Sequence, residues 1–285
     1  MRLSSPADVL GSLLRKPAAP PKLPTSRERA AQNRLRVLQA VALHGHLRCA
    51  DIAVACWPKA RYGEQMAQRA TRKLVASGEL KSRSNCHGGL SFVLTRPGAA
   101  ALEVRGIPAR HGLDLASVSG PTFTHHALTS RWCLHKASQG YQAFTEYAIV
   151  NGCAPVTREQ LLQRFKKMPD AVFIGRDGYQ LYVCETESAP KGARELTRIA
   201  ALAEHVGRKV HPELPYVLAG VYVVFNSEQN HGARIAKAAH ERWWRYSATE
   251  QATLAARITL SRVSLGLPLV WRGCAEEKLS LRHPV

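Results

Sequence analysis

The chain has 285 residues, 45% of them hydrophobic and 21% charged, which excludes a disordered chain and leaves room for more than one core. Forty Lys and Arg against 21 Asp and Glu give a formal net charge of +19, and a folded chain with that excess points to a polyanionic partner, nucleic acid first. No stretch approaches the roughly 18 consecutive apolar residues of a membrane span. Val9, Leu10, Leu13 and Leu14 are followed at once by Arg15 and Lys16, so no secretory signal or membrane insertion is expected. Seven scattered cysteines contain no CxxC pair. A disulfide scaffold and a zinc ribbon are therefore not expected, and a reducing, cytoplasmic setting is.

Residues 1–26 read as a flexible basic tail, with Pro17, Pro20, Pro21 and Pro24 close together. Residues 27–105 form the first folded segment. Arg27 to His44 has apolar positions Leu35, Val37, Leu38, Val41 and Leu43 at helical spacing, closed by Gly45. Asp51 to Trp57 predicts a short helix ended by Pro58. Glu64 to Ser77 predicts a third, with Met66, Ala70, Leu74 and Val75 inward and Gln65, Gln68, Arg69, Arg72 and Lys73 outward. Glu79 to Arg83 and Leu90 to Thr95 read as strands around the turn-rich Ser84–Gly89, and Pro97 to Val104 as another helix. Residues 1–110 carry 19 Lys and Arg against 6 Asp and Glu, so most of the positive excess sits here.

Three helices and a two-stranded hairpin, with Leu74-Val-Ala-Ser-Gly78-Glu-Leu80 and Phe92-Val-Leu-Thr95-Arg-Pro-Gly98, resemble a winged helix-turn-helix. The resemblance implies that the third helix enters the major groove of double-stranded DNA with Gln65, Gln68, Arg69, Arg72 and Lys73, and that Lys81 and Arg83 of the wing follow the backbone. A basic solvated helix face without DNA contact is the bland alternative. Residues 106–121, with Gly106, Pro108, Gly112, Gly120 and Pro121, read as a linker.

From 122 to 285 the pattern is mixed α/β. Thr124 to Gln139 predicts a helix, Tyr141 to Ile149 a strand containing Glu146, and Arg158 to Phe165 a short helix. Ala171 to Gly175 and Tyr179 to Thr186 are strands around the turn Asp177-Gly178. Lys191 to Val206 predicts a helix, Val217 to Phe225 a buried strand, Ala233 to Tyr246 a helix and Arg257 to Leu265 a strand. Glu185 and Glu187 share one face of their strand, since residues i and i+2 point the same way. Asp170 starts the neighbouring strand and can reach the same patch. Carboxylates gathered at one point repel unless a cation offsets them, and an all-oxygen set suits Mg²⁺ or Mn²⁺.

Pro169, Asp170, Glu185 and Glu187, with the strand and helix order around them, resemble the PD-(D/E)xK, or restriction-endonuclease-like, core. Adding the winged helix, His125, Glu146, Gly178 and Glu185-x-Glu187, the chain looks similar to the replication-relaxation, or MobC-type relaxase, family of mobile elements. The expected fold class is thus α+β or α/β, a winged helix-turn-helix followed by a nuclease-like domain. The resemblance implies metal-dependent nicking at a transfer or replication origin, with Asp170, Glu185 and Glu187 as catalytic metal ligands and Glu146 as a weaker fourth. Other mobilisation or relaxosome proteins, and a second copy of the chain, are the partners it implies. The sequence departs from the pattern at Glu187, where the family motif has Lys; Lys191, Lys166 or Lys167 could replace that lysine, Lys191 being preferred. The alternative is a DNA-binding regulator whose nuclease-like domain is a scaffold. His44-Gly-His46 and the adjacent His125-His126 match poorly the strand-borne histidine pair of tyrosine relaxases. Tyr62, Tyr147, Tyr179 and Tyr182 read as structural aromatics, which leaves water as the nucleophile.

Overall fold

The computed structural model describes residues 25–87, 89–114, 120–188, 192–226, 231–266 and 270–281. Nearly all of the expected tail, and Lys191, lie outside the described residues. The chain divides into two units, Met1–Gln32 and Asn33–Val285. In the first, the start of α1 (Ser26–His44) is fixed by Thr25 and Glu28: the Glu28 amide donates to Thr25 Oγ1 at 3.2 Å, and the Thr25 amide donates to the Glu28 carboxylate at 2.6 Å. This reciprocal cap satisfies two amides that a helix start leaves bare.

The second unit opens on the rest of α1, followed by β1 (His46–Arg48), α2 (Cys49–Cys56), α3 (Gly63–Ala76), β2 (Leu80–Ser84), β3 (Leu90–Leu94) and α4 (Arg96–Glu103). The strands form an antiparallel sheet in the order β1-β3-β2, with His46 opposite Val93 and Leu80 opposite Leu94. Val37, Leu38 and Val41 of α1, Ile52 of α2, Leu74 of α3 and Phe92 of β3 meet in one apolar core. Leu74 is buried as expected, but Val75 is 36% exposed, and the inward stripe of α3 is Ala67, Thr71 and Leu74. Thr71 can be buried because its hydroxyl donates to the Ala67 carbonyl at 2.9 Å. Gly98 has to be glycine: a Cβ there would stand 2.1 Å from the Glu79 carbonyl oxygen.

The rest of the unit comprises α5 (Gly120–Ser138), β4 (Gln142–Thr145), α6 (Glu146–Val150), α7 (Arg158–Phe165), β5 (Ala171–Ile174), β6 (Gln180–Glu187), α8 (Ala193–Ala203), β7 (Val217–Asn226), α9 (His231–Arg242), α10 (Ala248–Ala255), β8 (Ile258–Gly266) and β9 (Val270–Lys278). The strands form one mixed sheet in the order β4-β5-β6-β7-β8-β9. Pairs β6–β7 and β7–β8 are parallel and the others antiparallel. The parallel pairs need helical crossovers, which α8 supplies between β6 and β7, and α9 and α10 between β7 and β8. Val183, Val223 and Phe225 pack with Leu196 and Ile199 of α8 and Ile235 of α9. On the opposite face Cys184 and Val224 pack with Leu128 and Trp132 of α5.

The expected strand Tyr141–Ile149 is two elements. β4 stops at Thr145, whose side chain accepts the Ala148 amide and caps α6, so Glu146 is a first-turn helix residue and not a strand residue. The expected linker at 106–121 lies within the single unit Asn33–Val285. Leu134 of α5 packs in the core of the first three helices, and Thr145 Oγ1 donates to the Leu43 carbonyl at 2.6 Å. No helix among the described residues is long and apolar enough to cross a membrane.

Candidate active site

The acidic residues collect where β4 and β6 end and β5 begins. The Asp170 amide donates to the Cys184 carbonyl at 3.0 Å, and its own carbonyl accepts the Glu146 amide at 2.8 Å. Its carboxylate is held on both oxygens. Oδ2 accepts the Thr186 amide at 2.6 Å, and Oδ1 lies 3.2 Å from His125 Nε2 of α5. The other imidazole nitrogen lies 3.4 Å from Ser188 Oγ. Thr129, one turn after His125, donates its hydroxyl to Thr186 Oγ1 at 2.9 Å. Helix α5 is thus fastened to the end of β6 by Thr129 and to the start of β5 by His125.

Glu185 and Glu187 follow Val183 on the α8 face of β6, and both are fully buried. Glu185 is ion-paired with Lys167. That lysine follows a C-cap, Lys166, whose φ of 54° makes it the one non-glycine residue in the left-handed region among the described residues. The turn ends α7 and directs Lys167 toward β6. A buried carboxylate is tolerated when a cation lies against it.

An open cavity of about 290 Å³ lies beside Asp170, lined among others by His44, His125, His126, Glu146 and Tyr147. Glu146 is exposed, yet its carboxyl is held above the usual range, first by partial loss of water and then by the like charge of Asp170. His44 and His46 are buried, and loss of water pulls both down to about 4. His46 stacks on Phe123 with ring centroids 4.9 Å apart.

The expected residues therefore fall into two groups. Asp170 and Glu146 face the cavity, whereas Glu185 and Glu187 face the α8 side with Lys167. Among the described residues, Asp170, Glu185 and Glu187 do not bring donor oxygens within 4.8 Å of one another; the set that meets this distance is His135, Cys274 and Glu276. Carboxylate oxygens are the donor type of a hard dication, but here they do not converge: Glu185 is held by Lys167, and Asp170 by the Thr186 amide and His125. His125 and Lys167 each lie well away in sequence from the carboxylate they touch, and the sequence offers Lys167 only as one of three replacements for the motif lysine, behind Lys191.

Gln65, Gln68, Arg69, Arg72 and Lys73 are all exposed on α3. Their spacing of three and four residues lines them along one side of the helix, opposite Ala67, Thr71 and Leu74. Lys81 and Arg83 are exposed on one face of β2 and open, with Arg96 and His111, onto a second cavity of about 310 Å³. Of the tyrosines, Tyr62 and Tyr179 are exposed by 55% and 65%. Tyr147 lines the acidic cavity with its ring against Gly45.

Comparison of the chain with family models, with curated proteins and with solved structures finds no match.

Proposed function

We propose that this is a DNA-binding protein of the replication-relaxation type that nicks DNA with Mg²⁺ or Mn²⁺ at the origin of a mobile element. In this proposal residues 27–105 are a winged helix, with α3 in the major groove and β2–β3 as the wing, and residues 122–285 are a nuclease-like domain. The observation that carries it is the meeting of Lys167 with Glu185, one residue from the Thr186 amide that holds Asp170. That supplies a lysine and two acidic residues at the ends of two paired strands, although the sequence has Glu187 where the family motif has Lys.

Asp170 and Glu185 would hold the ion once Glu185 leaves Lys167 and the two carboxylates are drawn together, with Glu187 and Glu146 as further donors. The ion would lower the pKa of a bound water and offset the charge that develops on a phosphodiester. Lys167, released from Glu185, can donate to a non-bridging phosphate oxygen. His125, held between Asp170 and Ser188, would orient the Asp170 carboxylate toward the ion. Arg69, Arg72 and Lys73 provide affinity for phosphates, and Gln65 and Gln68 provide amides for base edges.

One observation favours the alternative, a DNA-binding regulator with a scaffold domain: Glu185 already has a cation in Lys167, and both Asp170 oxygens are engaged. Incubating supercoiled plasmid that carries the element's origin with Mn²⁺ separates the two. Relaxed circles from the wild type and none from Glu185→Gln support nicking. Specific binding by both proteins with no nicking by either supports the regulator.

A further inference from the structure

We propose that His135, Cys274 and Glu276 form a binding site for a zinc-class dication at the seam between α5 and the edge strand β9. None of these residues belongs to the candidate active site. One imidazole nitrogen, one sulfur and one carboxylate oxygen lie within 4.8 Å of one another. The local fold explains how they meet. Cys274 and Glu276 are two residues apart on β9 and share a face. Leu265 opposes Trp271 while Ser264 opposes Gly273, so Arg272 is an extra residue in β9. That bulge puts Trp271 on the same face as Cys274 and Glu276. From α5, His135 lies with its ring centroid 5.2 Å from that of Trp271, and Arg131, one turn earlier, lies 5.8 Å over the same indole.

Two of the three donors are held in place by neighbours. Gln139 Nε2 is 3.1 Å from His135 Nε2. Lys136 Nζ is 2.6 Å from one Glu276 oxygen, and the lysine itself is buried against the rings of Trp132, Tyr141 and Tyr222. Outer contacts of this kind orient metal ligands. Nitrogen, sulfur and oxygen from three side chains, with a fourth position left to water, is a zinc donor set; Mg²⁺ takes oxygen alone. Coordination converts the Cys274 S–H to a metal thiolate and releases the proton to solvent. The bound ion would clamp β9 onto α5.

Titrating the metal-stripped full chain with Co²⁺ tests this. A near-ultraviolet thiolate-to-cobalt band should rise to one equivalent and be reversed by Zn²⁺. Cys274→Ser should remove it, and His135→Asn should weaken Co²⁺ binding at least about tenfold, both with the wild-type circular dichroism spectrum. Absence of the band in the wild type, or its survival in Cys274→Ser, overturns the site. Should His135→Asn fail to fold, the serine variant alone decides.

Discussion

The molecule handles its two kinds of charge in opposite ways. On α3 the basic residues stand in water, opposite the stripe of Ala67, Thr71 and Leu74 that joins the helix to its core. At the end of β6 the carboxylates of Glu185 and Glu187 are fully buried, and the cation for Glu185 comes from a distant part of the chain. An exposed stripe is screened by salt and tolerates movement, which suits a partner that carries its own counterions. A buried carboxylate is held by a fixed partner, and exchange of that partner changes the site. Affinity and chemistry should accordingly separate on mutation.

The largest effect is expected from Asp170→Asn, which keeps the shape and removes the charge: nicking should fall by at least about 100-fold in a plasmid-relaxation assay, while DNA affinity in a gel-shift assay stays at the wild-type value. Equal loss of both would end the separation. Next, Arg69→Glu with Arg72→Glu should weaken DNA binding by about 100-fold at moderate salt. The slope of log affinity against log salt should also flatten by about 0.9 for each phosphate no longer neutralised, and an unchanged slope would remove α3 from the interface.

A third effect concerns acid. His44 and His46 titrate near 4 in the folded chain and at 6.5 when fully hydrated, so between those values the unfolded chain binds more protons. Their contribution is complete above pH 6.5 and is lost as pH falls toward 4, by an amount on the order of 3 kcal/mol per residue at the limit. Denaturant midpoints at pH 7 and pH 5 should show the decline, and replacing both histidines with Gln should flatten it. The smallest effect is Thr95→Ala, which removes the side-chain oxygen that accepts the Gly98 amide at 3.3 Å. About 1 kcal/mol of stability should go, with DNA affinity kept.

The regular parts of this fold could be read from sequence because they rest on local rules. The period of α1, the glycine after α3, the Asp177-Gly178 turn and the alternation that sets Glu185 beside Glu187 all lie within a few residues of one another. What could not be read rests on contacts between distant segments. β1 is three residues long and exists because β3 offers it an edge. Glu146 reads as strand until Thr145 is seen to cap a helix. Lys167 pairs with Glu185 only because a left-handed turn at Lys166, which nothing in its side chain announces, points the chain that way. Val75 fits an apolar stripe as well as Thr71 does, and the hydroxyl bond to Ala67 is what lets Thr71 lie in the core.

The six-stranded sheet has two outer strands, and each discourages further pairing by a different means. β4 has only four residues and passes directly into α6, which leaves little backbone for a second chain to join. β9 has nine residues but carries Arg272, Glu276, Glu277 and Lys278, with Glu277 bonded to Arg262 at 3.2 Å. Charge along an outer strand opposes the addition of another sheet. Neutralising substitutions on β9 should therefore show first as aggregation on storage, before any loss of the folded state.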